Sequence, residues 1–231
     1  MFSQEEIKKR TGAYAADYVE QGMTIGLGTG STVYWLLQEL GKRVQSGLHF
    51  RAVPTSRQTQ TLATELGIPL ADLNNVDQLA LTLDGADEIA PGLQLIKGGG
   101  GALLQEKIVA AASKQLIIIA DENKVVNTLG KFPLPVEVIP FGWKQVQKKV
   151  MQQLGCQLVE LREKNGGTFV SDHGHYILDC HFGQISDPAE LNEALHLIPG
   201  VVETGLFVSM ADIAVVGYAD GRITTTTSTT S

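Results

Sequence analysis

The stretch QLIIIADENK, residues 115–124, constrains the fold more than any other. Its apolar core is rich in isoleucine, whose branched side chain favours strands, and it leaves no polar alternation for a wet face. Such a run suits a central parallel strand buried on both faces. Parallel neighbours need long crossovers, so helices must flank that strand. The chain supplies them. MTIGLG is followed by a helical segment from Ser31 to Leu40, closing at Gly41, and LHFRAVPTS is followed by RQTQTLATELG. LALTLDGADEI and LQLIKGGGG read as further strands, and ALLQEKIVAAASK as the helix before QLIIIADENK. This alternation predicts a doubly wound, Rossmann-like α/β domain with a mostly parallel sheet. An amphipathic helix over 3–21, opened by a capping box of Ser3 and Glu6 and stopped at Gly22, precedes it.

The rhythm changes after LGKFPLPVEVIP, punctuated by Pro133, Pro135 and Pro140. Strand (135–139), helix (143–154) and strand (156–162) are followed by TFVSD and HYILDCHF as a hairpin, a helix (188–197) and a strand (201–206). That order approaches the split βαβ, ferredoxin-like pattern. The expected division is therefore 1–130 plus 207–231 as the α/β domain, with a small α+β domain inserted at 131–206. ADIAVVGY returns to the main sheet, and the tail TTTTSTTS reads as low-complexity and disordered.

Composition excludes some functions. A net charge of −7 over 231 residues lacks the basic balance of a nucleic-acid binder. No apolar run approaches the ~18 residues that span a bilayer. The N-terminus carries acids early and no signal-like apolar stretch, so a soluble cytoplasmic protein is expected. Cys156 and Cys180 lack metal spacing and read as free thiols in a reducing compartment, with Cys180 on the buried face of its strand. His173 and His175 sit at a hairpin turn, and alternation puts His175 and His181 toward solvent, so no metal site is expected there.

Glycines alternate in TIGLGTGSTV, residues 24–33, where a dinucleotide-binding protein would grip its pyrophosphate. The third glycine of that fingerprint is missing, since its place falls on Ser31 or Val33. The next strand ends RAVPTS, without the acid that holds a ribose hydroxyl. No Gly-Lys-Ser/Thr follows either, which removes a P-loop. Two readings stay open: a one-phosphate cradle of loop amides with the Ser31 and Thr32 hydroxyls, or a tight turn with one of these as a helix cap.

DGADE, residues 84–88, crowds three carboxylates at the carboxyl end of a strand, where open α/β sheets place ligands. Acid–base or sugar chemistry, a metal and a solvated turn all fit that spacing. Lys97 precedes Gly98, Gly99, Gly100 and Gly101, whose entropic cost points to close approach of a ligand. Glu106 follows within a helix, where glutamate is ordinarily a surface residue. Lys124, after the isoleucine-rich strand, is a phosphate partner or a plain surface lysine.

Taken in order, GLGTGST, DGADEI, KGGGGALLQEKI and LGKFPLPVEVIP, then ILD and IPGVVETGLF, resemble the type A ribose-5-phosphate isomerases from about residue 5 to 222. The resemblance implies a cofactor-free aldose–ketose isomerisation of ribose 5-phosphate and ribulose 5-phosphate in the pentose phosphate pathway. On it, Glu106 matches the general base and Lys97 the residue stabilising the enediolate oxygen. Asp84 and Asp87 match the pair engaging the sugar hydroxyls. Substrate-binding positions fall on Lys8, Thr29, Gly30, Ser31, Thr32, Gly85, Ala86, Gly98, Gly99, Gly100 and Lys124. It also implies a phosphosugar substrate with no cofactor or metal, and a homodimer or dimer of dimers; composition already argues against nucleic acid and membrane. Two departures stand out: Gly101 replaces an expected alanine, and the Thr/Ser-rich end replaces an expected final strand. The competing readings are a sugar-phosphate-sensing module, which would carry a DNA-binding helix-turn-helix not visible here, or another enzyme of this architecture, such as an amino-sugar-phosphate deaminase or an acyl-CoA transferase.

Overall fold

The structure is a computed structural model describing residues 1–228. Along the first part of the chain run α1 (Gln4–Ala15), β1 (Thr24–Leu27), α2 (Ser31–Gln45), β2 (Arg51–Pro54), α3 (Arg57–Glu65) and β3 (Thr82–Asp84). Next come β4 (Glu88–Ala90), β5 (Gln94–Ile96), α4 (Leu103–Ala111) and β6 (Leu116–Asp121). Then follow β7 (Leu134–Val138), α5 (Trp143–Gln153), β8 (Leu158–Leu161), β9 (Glu163–Lys164), β10 (Gly167–Thr168) and β11 (Tyr176–His181). The last elements are α6 (Pro188–His196), β12 (Val201–Thr204), β13 (Leu206–Phe207), β14 (Ile213–Gly217) and β15 (Ile223–Thr227).

Contacts divide the chain into two units. The first holds Met1–Ala86, Gln105–Val125 and the segment from Met210 onward; the second holds Asp87–Leu104 and Val126–Ser209. Residues 87–104, assigned by sequence to the first domain, therefore pack with the second. LALTLDGADEI accounts for the difference, because it is not one strand. β3 ends at Asp84 inside the main sheet, and β4 begins at Glu88 in another sheet.

In the first unit the sheet order is β15-β14-β6-β3-β1-β2, parallel except for β15 against β14. All six residues of β6 are buried, as a strand covered on both faces must be. Ile25, Leu27, Leu36, Leu37, Leu40, Ile117 and Ile119 form the core beneath α1 and α2. Helix α2 does not stop at Gly41; it runs to Gln45. Gly41 instead lets the helix approach Leu66, and the chain turns at Gly47, whose φ is +102°. The tail also differs from expectation: Thr224–Thr227 pair with β14 as an edge strand, because threonine suits a half-exposed pleated surface. Residues 229–231 lie outside the described residues.

The second unit has the element order β7-α5-β8-β11-α6-β12 around an antiparallel sheet ordered β12-β7-β11-β8. Val136, Val138, Val146, Val150, Leu178 and Leu195 fill its core. β4, β5 and β13 make a separate three-stranded sheet. TFVSD is not a strand paired with HYILDCHF; the small hairpin is β9 with β10. The segment bends inward because the Ser171 hydroxyl donates to buried Glu137 Oε1 at 2.8 Å.

Candidate active site

The order of the main sheet locates the crevice. From β1 the chain steps to β2 on one side, then returns to place β3 on the other. Ligands bind outside the carboxyl ends of the strands where the order reverses in this way. The glycine loop leaves β1 at that point, and Asp84 is the last residue of β3. The two are fastened together. Asp84 is fully buried and its Oδ1 accepts hydrogen bonds from the Thr29 amide at 3.0 Å and the Gly85 amide at 2.7 Å. A buried carboxylate needs such donors to offset lost hydration. The solvated-turn reading of Asp84 is thereby excluded.

Gly28 is required for this fit, since a Cβ there would overlap the Asp84 carboxylate. Thr29 is anchored from behind. Its hydroxyl lies 2.8 Å from Thr55 Oγ1, 2.8 Å from Ser56 Oγ and 3.1 Å from Thr59 Oγ1. Thr59 in turn donates to the Gly28 carbonyl at 2.7 Å. Sequence reasoning does not find this buried hydroxyl cluster; the hydroxyls of RAVPTS are its signal in the chain. Gly30 is the helix N-cap with φ +132°, and no side chain caps α2. Ser31 and Thr32 are thus the first helical residues and not caps. Lone amides at a helix start, with adjacent hydroxyls, favour an anion.

Lys8 on α1 and Ser31 share the lining of an open cavity of about 350 Å³ with Gln4, Glu5, Tyr34 and Trp35. Lys8 Nζ is 4.0 Å from Asp121 Oδ2 at the end of β6. Lys124 closes the short 3₁₀ turn after β6 and is half-buried. Glu106, in the first turn of α4, is 4% exposed, so the surface-glutamate reading does not hold. Its neighbour Gln105 ties this turn to the end of β2 by donating to the Pro54 carbonyl at 2.8 Å. Gly85 and Ala86 continue from Asp84, half-buried.

In the second unit, Lys97 is 2% exposed, with its ammonium 5.3 Å from the centre of the Phe207 ring. Its amide donates to the Gly205 carbonyl, which fixes the strand end that carries it. Gly98 is buried, and Gly99 and Gly100 are exposed. Asp87 Oδ2 accepts from the Gly99 amide at 2.7 Å, so this aspartate and the glycine loop form one piece. Glu88, the third carboxylate of DGADE, faces elsewhere. It accepts from the Gly130 amide at 2.7 Å and the Phe132 amide at 2.6 Å, which is a structural task.

His175 corrects another expectation. Its Nδ1 lies 3.0 Å from buried Glu137 Oε1, so it turns inward and not to solvent, whereas His181 pairs with exposed Glu160 at 2.9 Å. Both cysteines are free, and Cys180 is fully buried.

The family model for ribose 5-phosphate isomerase A (phosphoriboisomerase A) matches residues 51–221. A ribose-5-phosphate isomerase A of Bacillus cereus (strain ATCC 14579) is 61% identical over 93% of this chain and 97% of that protein. The chain belongs to the ribose 5-phosphate isomerase A family. Among solved structures, a ribose 5-phosphate isomerase from Plasmodium falciparum superposes with TM-score 0.94 at 38% identity, covering 98% of this chain and all of that one. A D-ribose-5-phosphate isomerase in complex with phospho-erythronic acid superposes equally well, at 39% identity over 98% of this chain and 100% of that one.

Against the isomerase A pattern, the fourth glycine has a local reason. Gly101 has φ +87°, and a Cβ there would overlap the Phe169 ring. The residue is glycine because the turn is left-handed and an aromatic ring lies on it.

Proposed function

We propose that this protein interconverts D-ribose 5-phosphate and D-ribulose 5-phosphate as an aldose–ketose isomerase of the pentose phosphate pathway. The observation that carries this is the match, at 61% identity across 93% of the chain, to a relative of that name. Phospho-erythronic acid, the ligand of one family member, joins a phosphate to a planar carboxylate and so has the shape and charge of an enediolate.

Glu106 takes the proton from C2 of the open-chain aldose and returns it to C1, passing through the enediolate. Lys97 supplies positive charge at the developing oxyanion, and its burial makes that charge more effective than in water. Asp84 and Asp87 engage the sugar hydroxyls, assist ring opening and move the proton between O1 and O2. The amides and hydroxyls of Thr29, Gly30, Ser31 and Thr32, with Lys124 and Lys8, hold the phosphate end. Gly85, Ala86, Gly98, Gly99 and Gly100 bring backbone close to the sugar. Binding far from the reacting carbons orients them, a contribution of several kcal/mol at most sites of this kind.

The second unit's β-α-β-β-α-β order supports a ferredoxin-like module. The protein works in the cytoplasm as a homodimer or dimer of dimers, which light scattering on the eluting species checks. The functional test is conversion of ribose 5-phosphate by the purified chain after exhaustive chelation. Ribulose 5-phosphate forming at an enzymatic rate supports the reading; no turnover, or turnover only after a metal is restored, contradicts it.

A further inference from the structure

We infer that Arg162 is a positioning residue that clamps the Lys97–Gly101 loop into its working conformation. The inference rests on the isomerase reading above. Arg162 follows β8 and uses its guanidinium on two sides. Nε donates to Asp179 Oδ2 at 2.9 Å and Nη2 to Asp179 Oδ1, a bidentate grip on β11. Nη1 donates to the Gly98 carbonyl at 2.7 Å and to the Gly99 carbonyl at 3.2 Å.

Four consecutive glycines have too much freedom to hold one conformation unaided. Here both carbonyls of the Gly98–Gly99 segment are drawn to one cation, and the Gly99 amide is left to donate to Asp87 Oδ2. One guanidinium therefore sets the loop, and through the loop it sets Asp87. Phe169 adds a second hold. Its ring rests on Gly101, and its amide donates to the Arg162 carbonyl at 2.8 Å. The segment from Arg162 to Phe169 thus grips both ends of the glycine run. The planar fork explains the choice of arginine, because an ammonium could not serve Asp179 bidentately and two carbonyls together. Arg162 makes no contact with the reacting atoms in this account; it acts by holding Lys97 and Asp87 where the enediolate forms.

The test compares wild type, Arg162→Met, Arg162→Lys and Asp179→Asn at a temperature below every melting transition. Amide hydrogen exchange over residues 97–103 should quicken in Arg162→Met, a readout that does not depend on the reaction. With ribose 5-phosphate, kcat should fall by roughly 10²-fold while KM changes little, as for a misplaced catalytic group. The inhibition constant of phospho-erythronic acid should rise alongside, and Arg162→Lys should recover part of both losses. Should Arg162→Met fail to fold, Asp179→Asn carries the test, with faster loop exchange and a smaller kcat loss expected. Unchanged loop exchange, or kcat within about threefold of wild type in a folded variant with a lower melting temperature, overturns the clamp and leaves the ion pair purely structural. An inactive wild type whose loop exchange still responds to Arg162 would refute the isomerase reading and keep the clamp.

Discussion

Gly28 and Asp84 occupy one another's space: the aspartate carboxylate fills the volume that a side chain at position 28 would need. The Thr29 amide then closes on the same carboxylate oxygen at 3.0 Å. Gly28→Ala must push Asp84 out of place or break that bond. Overpacking of this kind costs about 1–3 kcal/mol, which urea denaturation reads. The displaced aspartate should also lower kcat/KM by roughly 10²-fold. A variant with wild-type kcat/KM would show that Asp84 need not sit where the structure places it.

The hydroxyl cluster makes a separable prediction. Thr59→Val keeps the shape of the side chain but leaves the Gly28 carbonyl without its 2.7 Å donor. An unsatisfied buried acceptor costs about 1–3 kcal/mol. Because the loop is read as gripping phosphate, the kinetic effect should fall on KM for ribose 5-phosphate, with kcat nearly preserved. A large kcat loss at unchanged KM would move this cluster from phosphate binding to the chemical step.

Glu88 distinguishes structure from chemistry within DGADE. Its carboxylate holds the Gly130 and Phe132 amides, and it is 3% exposed. Hydrogen bonds to a charged acceptor contribute about 1.5–3 kcal/mol each. Glu88→Gln retains one oxygen, so melting should drop measurably while kcat stays at the wild-type value. Asp84→Asn and Asp87→Asn should instead lose activity, with a drop in melting expected for Asp84→Asn as well, because buried Asp84 also holds two amides. A kcat loss in Glu88→Gln at full folding would enlarge the catalytic set.

The cysteines give a pH dependence. The Cys180 thiol titrates well above the usual range, first through its proximity to Cys156 and then through burial; the same proximity lowers Cys156, so the burial of Cys180 carries the net effect. A thiol whose pKa is raised on folding stabilises the protein fully below the unfolded value of about 8.5, and that stability is lost as pH rises through the folded value. The urea midpoint should therefore fall from pH 7.5 to pH 9.5, and the fall should shrink in Cys180→Ala. An identical slope in both proteins would assign the alkaline loss elsewhere.

Much of this was legible in the chain. QLIIIA announced a doubly covered strand, and the alternation of strands with helices announced the mostly parallel sheet around it. What could not be read depends on contacts between distant segments. The split of LALTLDGADEI into β3 and β4 follows from Asp84 binding Thr29 and Glu88 binding Gly130, partners 55 and 42 residues away. Arg162 lies 64 residues from the Gly98 carbonyl, and nothing local marks it. The threonine tail misled because its composition suits a disordered segment, whereas β14 offers it an edge to pair with. Gly41 misled in the same way, since helix stops and helix contacts use the same residue.

The central claim is that Glu106 is the base of this isomerisation. The decisive measurement is kcat and KM for ribose 5-phosphate with Glu106→Gln, alongside wild type in the same chelated buffer. The account predicts a loss on the order of 10²–10⁴-fold in kcat, with a smaller change in KM, as removal of a positioned general base should give. A folded Glu106→Gln enzyme that turns over near the wild-type rate would contradict it.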